Sequence, residues 1–193
     1  MKSGNDGPQR SDAQRNRERI LEVALAELSR DADAPLSSIA KKARVGQGTF
    51  YRNFPNREAL VLEIYRQEVQ LLTDAATELL QTRVPDRALR EWMERLARFA
   101  VTKVGLSDAM RRIIGTTDAP AQPGYARVVE TIEALLAANH EAGTIRPEVT
   151  ADDFILAIAG LWQIDTRGDW QAKTTRLLDL VMDGLRAGAP RQR

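Results

Sequence analysis

Residues 45–54 read VGQGTFYRNF and are followed by Pro55. Two glycines, an aromatic pair, an arginine, an asparagine and a phenylalanine are too polar for a core helix and too aromatic for an ordinary surface loop. The spacing predicts a short helix over about 47–53 that serves two surfaces. Val45, Phe50 and Phe54 face inward, while Gln47, Gly48, Thr49, Tyr51, Arg52 and Asn53 stay outside. Phe54-Pro55 stops the helix, because the residue before a proline is pushed out of the α region. Just upstream, Leu36, Ile39, Ala40 and Ala43 form the inward side of a second short helix over about 36–43, with Ala40 small enough to let the helices approach. A turn at 44–46 joins the two. From about Ser11, Ile20, Ala24 and Leu28 recur at i, i+4 and i+8, the stripe of a longer amphipathic helix that Asp31 to Pro35 ends. Two short helices joined by a tight turn and braced by a first helix follow the helix-turn-helix plan.

The exposed residues suit a nucleic acid. Gln and Asn bond adenine edges, Arg bonds guanine, and a Thr methyl touches thymine. The Tyr51 hydroxyl fits a phosphate oxygen. Gly48, without a side chain, lets a helix N-terminus come close to the backbone, where free N–H groups favour an anion. The plainer reading is a surface helix with incidental polar residues. Arg10, Arg15 and Arg17 crowd the front of the first helix, either as an arm along the minor groove or as a solvated charged end.

Downstream, Asn56 is placed to N-cap a long helix running to about Gln81, with Glu58 in its first turn, where the helix dipole favours an acid. Pro85 breaks that pattern. Leu89, Trp92, Leu96 and Phe99 then mark an amphipathic helix over 86–104. A shorter helix is expected at about 107–114, a loop at 116–124, and helices at about 125–142, 152–166 and 170–187. No strand is expected. The stretch FILAIAGLW (154–162) is apolar on every side and must be buried all round. One solution packs one side on its own core and the other on a second copy, with Ala159 and Gly160 allowing close approach; the other is a purely internal core helix.

Residues 15–62 resemble the TetR family of bacterial regulators. Ile39-Ala40-Lys41-Lys42-Ala43 and Val45 through Leu60 carry the likeness, with the aromatic at 51, Phe54, the basic residue at 57 and Leu60 all in place. The C-terminal half resembles the SbtR-like group. The resemblance implies that the third helix lies in the major groove, with Gln47, Thr49, Tyr51, Arg52 and Asn53 on bases and phosphates and Arg57 on a phosphate. Ser37 and Gly48 complete the expected DNA-binding set. It also implies a dimer interface from the last two helices, here Ile155, Ala159, Gly160, Leu177, Leu178, Val181 and Leu185. An inducer pocket is implied too, for which Trp92, Leu96, Phe99, Met110, Ile113, Val129 and Trp162 are the candidate lining, solid core being the plainer role of each. One residue departs from the family: Arg44 stands where the turn usually has glycine. A non-glycine residue at positive φ costs about 1 kcal/mol. Either Arg44 bears that cost, or the turn moves to Gly46, or the side chain is kept for a phosphate.

Composition sets the outer bounds. The 193 residues carry a net charge of +1, with 11 Lys+Arg against 8 Asp+Glu over residues 1–60. That mild basic excess permits a nucleic-acid face without demanding one. There is no cysteine, hence no disulfide or thiolate chemistry. No apolar run approaches a bilayer span and no signal sequence opens the chain, so a cytoplasmic protein is expected. An enzyme is not expected. His140, the only histidine, is followed by Glu-Ala-Gly and does not make a zinc-binding HExxH; it suits a helix C-terminus. Asp152 and Asp153 suit the first turn of a helix. No metal, cofactor or membrane partner is implied.

The expected fold is all-α: a three-helix helix-turn-helix domain over 11–55, joined by a long helix to a helical-bundle regulatory and dimerisation domain over 56–188, behind a disordered arm over 1–10, with about nine helices. The expected function is a homodimeric transcriptional repressor that binds a palindromic operator in double-stranded DNA and is released by a small hydrophobic effector. A regulator without an inducer, and a helical carrier or enzyme, are the alternatives.

Overall fold

The computed structural model describes residues 7–102, 124–165 and 168–190. Its helices are α1 (Gly7–Arg30), α2 (Leu36–Lys42), α3 (Gln47–Asn53), α4 (Arg57–Thr82), α5 (Pro85–Thr102), α6 (Tyr125–Glu141), α7 (Ala151–Ile158) and α8 (Trp170–Arg186), with a 3-10 segment at Ala159–Gln163. Among the described residues there is no strand. The expected helix at 107–114 and most of the loop at 116–124 lie outside the described residues.

The chain divides into two compact units, with the boundary inside α4 between Tyr65 and Arg66. The first turns of α4 therefore belong to the smaller, N-terminal unit. The core of that unit is the sequence stripe made solid: Ile20, Ala24, Leu28, Ile39, Ala43, Phe50 and Leu60 are fully buried, with Ala40 and Phe54 almost so. α1 starts at Gly7, ahead of the expected start at Ser11. α2 and α3 have seven residues each, too short to persist alone, so the packing of α2 on α1 and of α3 on α2 holds them. Pro35 sits at the N-cap of α2. Asn56 caps α4 as its sequence position indicated: its side-chain oxygen accepts the Ala59 N–H at 2.8 Å.

The larger unit packs α5 to α8 and the rest of α4. Trp92 is wholly buried beside Phe154, with ring centroids 6.4 Å apart, and its indole N–H donates to the Leu72 carbonyl at 2.9 Å. Pro85 opens α5 at the first helical position, where its missing N–H costs nothing. Asn139 is fully buried and satisfied: its amide donates to the carbonyls of Pro85 (3.0 Å) and Leu135 (2.8 Å) and its oxygen accepts from the Thr144 hydroxyl (2.7 Å). α7 opens with a capping box between Thr150 and Asp153. The Thr150 hydroxyl and backbone N–H donate to that carboxylate and hold it below the usual aspartate range. The helix expected over 152–166 keeps α geometry only to Ile158 and tightens into the 3-10 segment across Gly160, a residue poorly suited to an α-helix interior. No described helix is long and apolar enough to cross a membrane.

Candidate nucleic-acid interface

α3 presents the two surfaces its sequence demands. Phe50 packs edge-on to Tyr51 at 5.5 Å and against Phe54 at 6.1 Å, anchoring the helix. Gln47, Gly48, Tyr51 and Arg52 are exposed, Tyr51 by 43%. Thr49 and Asn53 are half-buried, and the Asn53 amide donates to the Thr49 carbonyl at 2.8 Å, within its own helix. Arg52 lies along the helix, donating to the Gly48 carbonyl (3.2 Å) and the Thr49 hydroxyl (3.1 Å). These exposed, intrahelical bonds are easily exchanged for a base edge. Ser37 is exposed and lines a surface concavity of about 460 Å³ with Ser38, Lys41, Val45, Gly46 and Gln47.

The turn between α2 and α3 settles the question of Arg44. Its φ is +53°. Its N–H donates to the Lys41 carbonyl and that of Val45 to the Ala40 carbonyl, both at 3.1 Å, the pair of bonds that closes a helix with a left-handed residue. Gly46 has φ −61° and is the extended N-cap of α3, so the turn does not move to it. The Arg44 side chain is exposed and makes no hydrogen bond or ion pair among the described residues. A Cβ on Gly46 or Gly48 would meet nothing within 4 Å, so no packing inside the chain requires glycine at either.

Several arginines are engaged within the chain. Arg57, expected on a phosphate, is half-buried. Its guanidinium donates to the carbonyls of Ala32 (2.7 Å), Ala34 (2.6 Å) and Asp33 (3.3 Å). Arg17 stacks 4.8 Å from the Phe54 ring centroid and pairs with Glu63 at 2.8 Å, bracing α1 to α4. Arg15 pairs with Asp12. Arg19 donates to the Ala43 carbonyl at 2.8 Å. Behind α2, Glu27 bonds Lys42 and Arg30, and the Lys42 hydrogen bond above all holds its carboxyl below the usual glutamate range. Residue type gives no signal for the Arg57 and Arg19 contacts, because their acceptors are backbone carbonyls.

In the larger unit, Trp92 and Leu96 are buried in the core, Phe99 and Val129 are half-buried, and Trp162 is 47% exposed. Met110 and Ile113 lie outside the described residues. Leu178 and Leu185 point into the chain's own core. Ile155, Leu177 and Val181 are half-buried against that core, and Ala159 and Gly160 are exposed. The fully outward residues are Leu156 (74%) and Leu180 (70%). Each stands two positions from a core residue, Phe154 or Leu178, on the opposite helix side. A groove of about 300 Å³ between α4 and α6 is lined by Gln70, Asp74, Arg127, Glu130 and their neighbours, none of them among the expected pocket residues. Among the described residues no cluster of His, Asp or Glu is placed to hold a metal ion.

A buried aromatic anchor beneath an exposed polar helix, set by a tight turn on a three-helix brace, defines a helix-turn-helix DNA-binding protein. The family of bacterial regulatory proteins, tetR family, matches residues 20–64, and the C-terminal domain of SbtR-like transcriptional regulators matches residues 84–187. The chain belongs to the TetR family of DNA-binding transcriptional regulators. It is similar to the crystal structure of a TetR transcriptional regulator from Streptomyces coelicolor, with 40% identity over 88% of this chain and 98% of that one and a TM-score of 0.76. It is also similar to a TetR regulatory protein from Mycobacterium vanbaalenii, with 34% identity over 93% and 99% of the two chains and a TM-score of 0.75. LfrR from Mycobacterium smegmatis, a structure in complex with proflavine, shows 25% identity over 93% and 98% and a TM-score of 0.60. Comparison with curated proteins found no match.

Proposed function

We propose that this regulator is a cytoplasmic, homodimeric, non-enzymatic repressor that binds a palindromic operator and is released by a small hydrophobic effector in its larger unit. The observation that carries the dimer is the exposure of Leu156 and Leu180 on the last two helices, with Ala159 and Gly160 exposed one turn after Leu156. Leucines this exposed on adjacent helices are costly in a monomer and suit an isologous interface. A two-fold protein then reads two half-sites of a palindrome. LfrR, the similar protein held in complex with proflavine, supports a small-molecule effector. Release is a population shift: a tenfold fall in occupancy needs an effector preference of about 1.4 kcal/mol for the state that does not bind DNA. α4 belongs to both units as one continuous helix of 26 residues, about 39 Å long, and carries the coupling.

The test measures mass in solution for the wild type and for Leu156→Glu combined with Leu180→Glu. Dimer for the first and folded monomer for the second is expected; a wild-type monomer sinks the dimer. A regulator without an inducer is favoured by one observation: Trp92 and Leu96 are buried in packed core and the indole N–H is already satisfied. A hydrophobic-ligand screen that leaves DNA affinity unchanged would decide for it.

A further inference from the structure

α2 is gripped at both ends by guanidinium groups from other helices. Before it, Arg57 from the first turn of α4 donates to three consecutive carbonyls, Ala32, Asp33 and Ala34, at 2.7, 3.3 and 2.6 Å. After it, Arg19 from α1 donates to the Ala43 carbonyl at 2.8 Å, next to the left-handed Arg44. Between these grips α2 has little of its own to fix its direction. It spans seven residues, its N-cap Pro35 supplies no side-chain hydrogen bond, and its exit is a strained turn. Both terminal nitrogens of Arg57 are engaged, the pair that would otherwise make a bidentate phosphate contact.

We propose that Arg57 is a positioning residue for DNA recognition: it acts through the 32–34 segment to fix α2 and its exposed Ser37 and Lys41, and does not itself bind phosphate. The inference rests on the DNA-binding reading of α2 and α3. Charge-assisted bonds to three carbonyls set a direction, because the planar fork reaches them together only from one place. An ammonium has the charge but not the fork. Loosening this grip lets α2 and the following α3 sample orientations in which backbone contacts survive and base contacts do not.

The test uses the full-length protein with two probes: a duplex enriched by the wild type from a random pool, and sheared heterologous DNA. Binding of Arg57→Gln and Arg57→Lys to both is titrated with salt. For both variants the ratio of specific to non-specific affinity is expected to fall by about tenfold or more, out of a ratio that spans at least about a thousandfold in specific binders. Non-specific affinity and the salt slope stay as in the wild type. A slope reduced by about 0.9 in Arg57→Gln, with Arg57→Lys behaving as wild type, would make Arg57 a phosphate ligand and overturn the proposal. A lowered melting temperature with ratio and slope both kept would reduce it to a structural brace and overturn it as well. Should Arg57→Gln fail to fold, Arg57→Lys decides alone: a wild-type ratio in that variant refutes the clamp. If the wild type enriches no sequence, the DNA-binding reading itself fails, and the proposal with it.

Discussion

Replacing Arg44 with glycine should stabilise the protein. The residue holds φ +53° with its side chain in solvent and no partner among the described residues, so the substitution removes a steric cost and no contact. Relief of the left-handed conformation is worth about 1–2 kcal/mol. Glycine gives back about 0.4–1 kcal/mol through the greater freedom of its unfolded chain. The net gain is about 0.5–1 kcal/mol, which in a protein of this size raises a melting temperature by about 2–4 °C per kcal/mol. Arg44→Ala is the control, since alanine keeps the Cβ that causes the strain and should leave stability unchanged. The assay is thermal unfolding by circular dichroism, with hydrogen exchange at the Val45 amide to report on the smaller unit directly, because its bond to the Ala40 carbonyl closes the turn. Lower stability in Arg44→Gly would refute the strained turn. If Arg44→Gly and Arg44→Ala both lose about 0.9 in the salt slope of DNA binding, the guanidinium is kept for a phosphate.

Other outcomes follow from the same geometry. Phe50→Ala should cost about 3–5 kcal/mol by emptying the core of the smaller unit, measured by denaturant titration; a loss below about 1 kcal/mol would show that Phe50 is not its anchor. Arg52→Ala should relax base preference at one position, with about 1–3 kcal/mol less discrimination there, whereas Tyr51→Phe should weaken binding evenly across sequences; the reverse pattern would exchange their roles. The depressed Glu27 carboxyl contributes stability above the ordinary glutamate pKa that is lost as pH falls through its lower folded value. Acid unfolding of Glu27→Gln should therefore lack that part of the acid limb, and superimposable curves for variant and wild type would show that the Lys42 pairing contributes nothing.

The elements legible in the sequence are those written in side chains. The stripe of Ile20, Ala24 and Leu28, the two-faced 45–54 segment and the Asn56 cap all carry a period or a cap chemistry that the structure repeats. Arg44 was legible as a conflict, and its φ shows that the turn stays at Arg44 and does not move to Gly46. The Arg57 contacts were not legible, because their acceptors are the main-chain carbonyls of Ala32, Asp33 and Ala34, which no residue identity marks. The 154–162 stretch is apolar throughout, so its sequence cannot say which side meets the core. Phe154 and Ile158 turn in, Leu156 turns out, and the helix tightens at Ala159. The inward turn of Leu178 and Leu185 depends on the same neighbour-by-neighbour packing.

The central claim is that the exposed side of α3 reads a two-fold DNA site. Enrichment of duplexes from a random pool by the full-length protein tests it most directly. An inverted repeat should emerge, and its enrichment should vanish when Gln47, Tyr51 and Arg52 are all replaced by alanine in a protein that still folds. No enriched sequence, or the same repeat enriched by the triple variant, would contradict it.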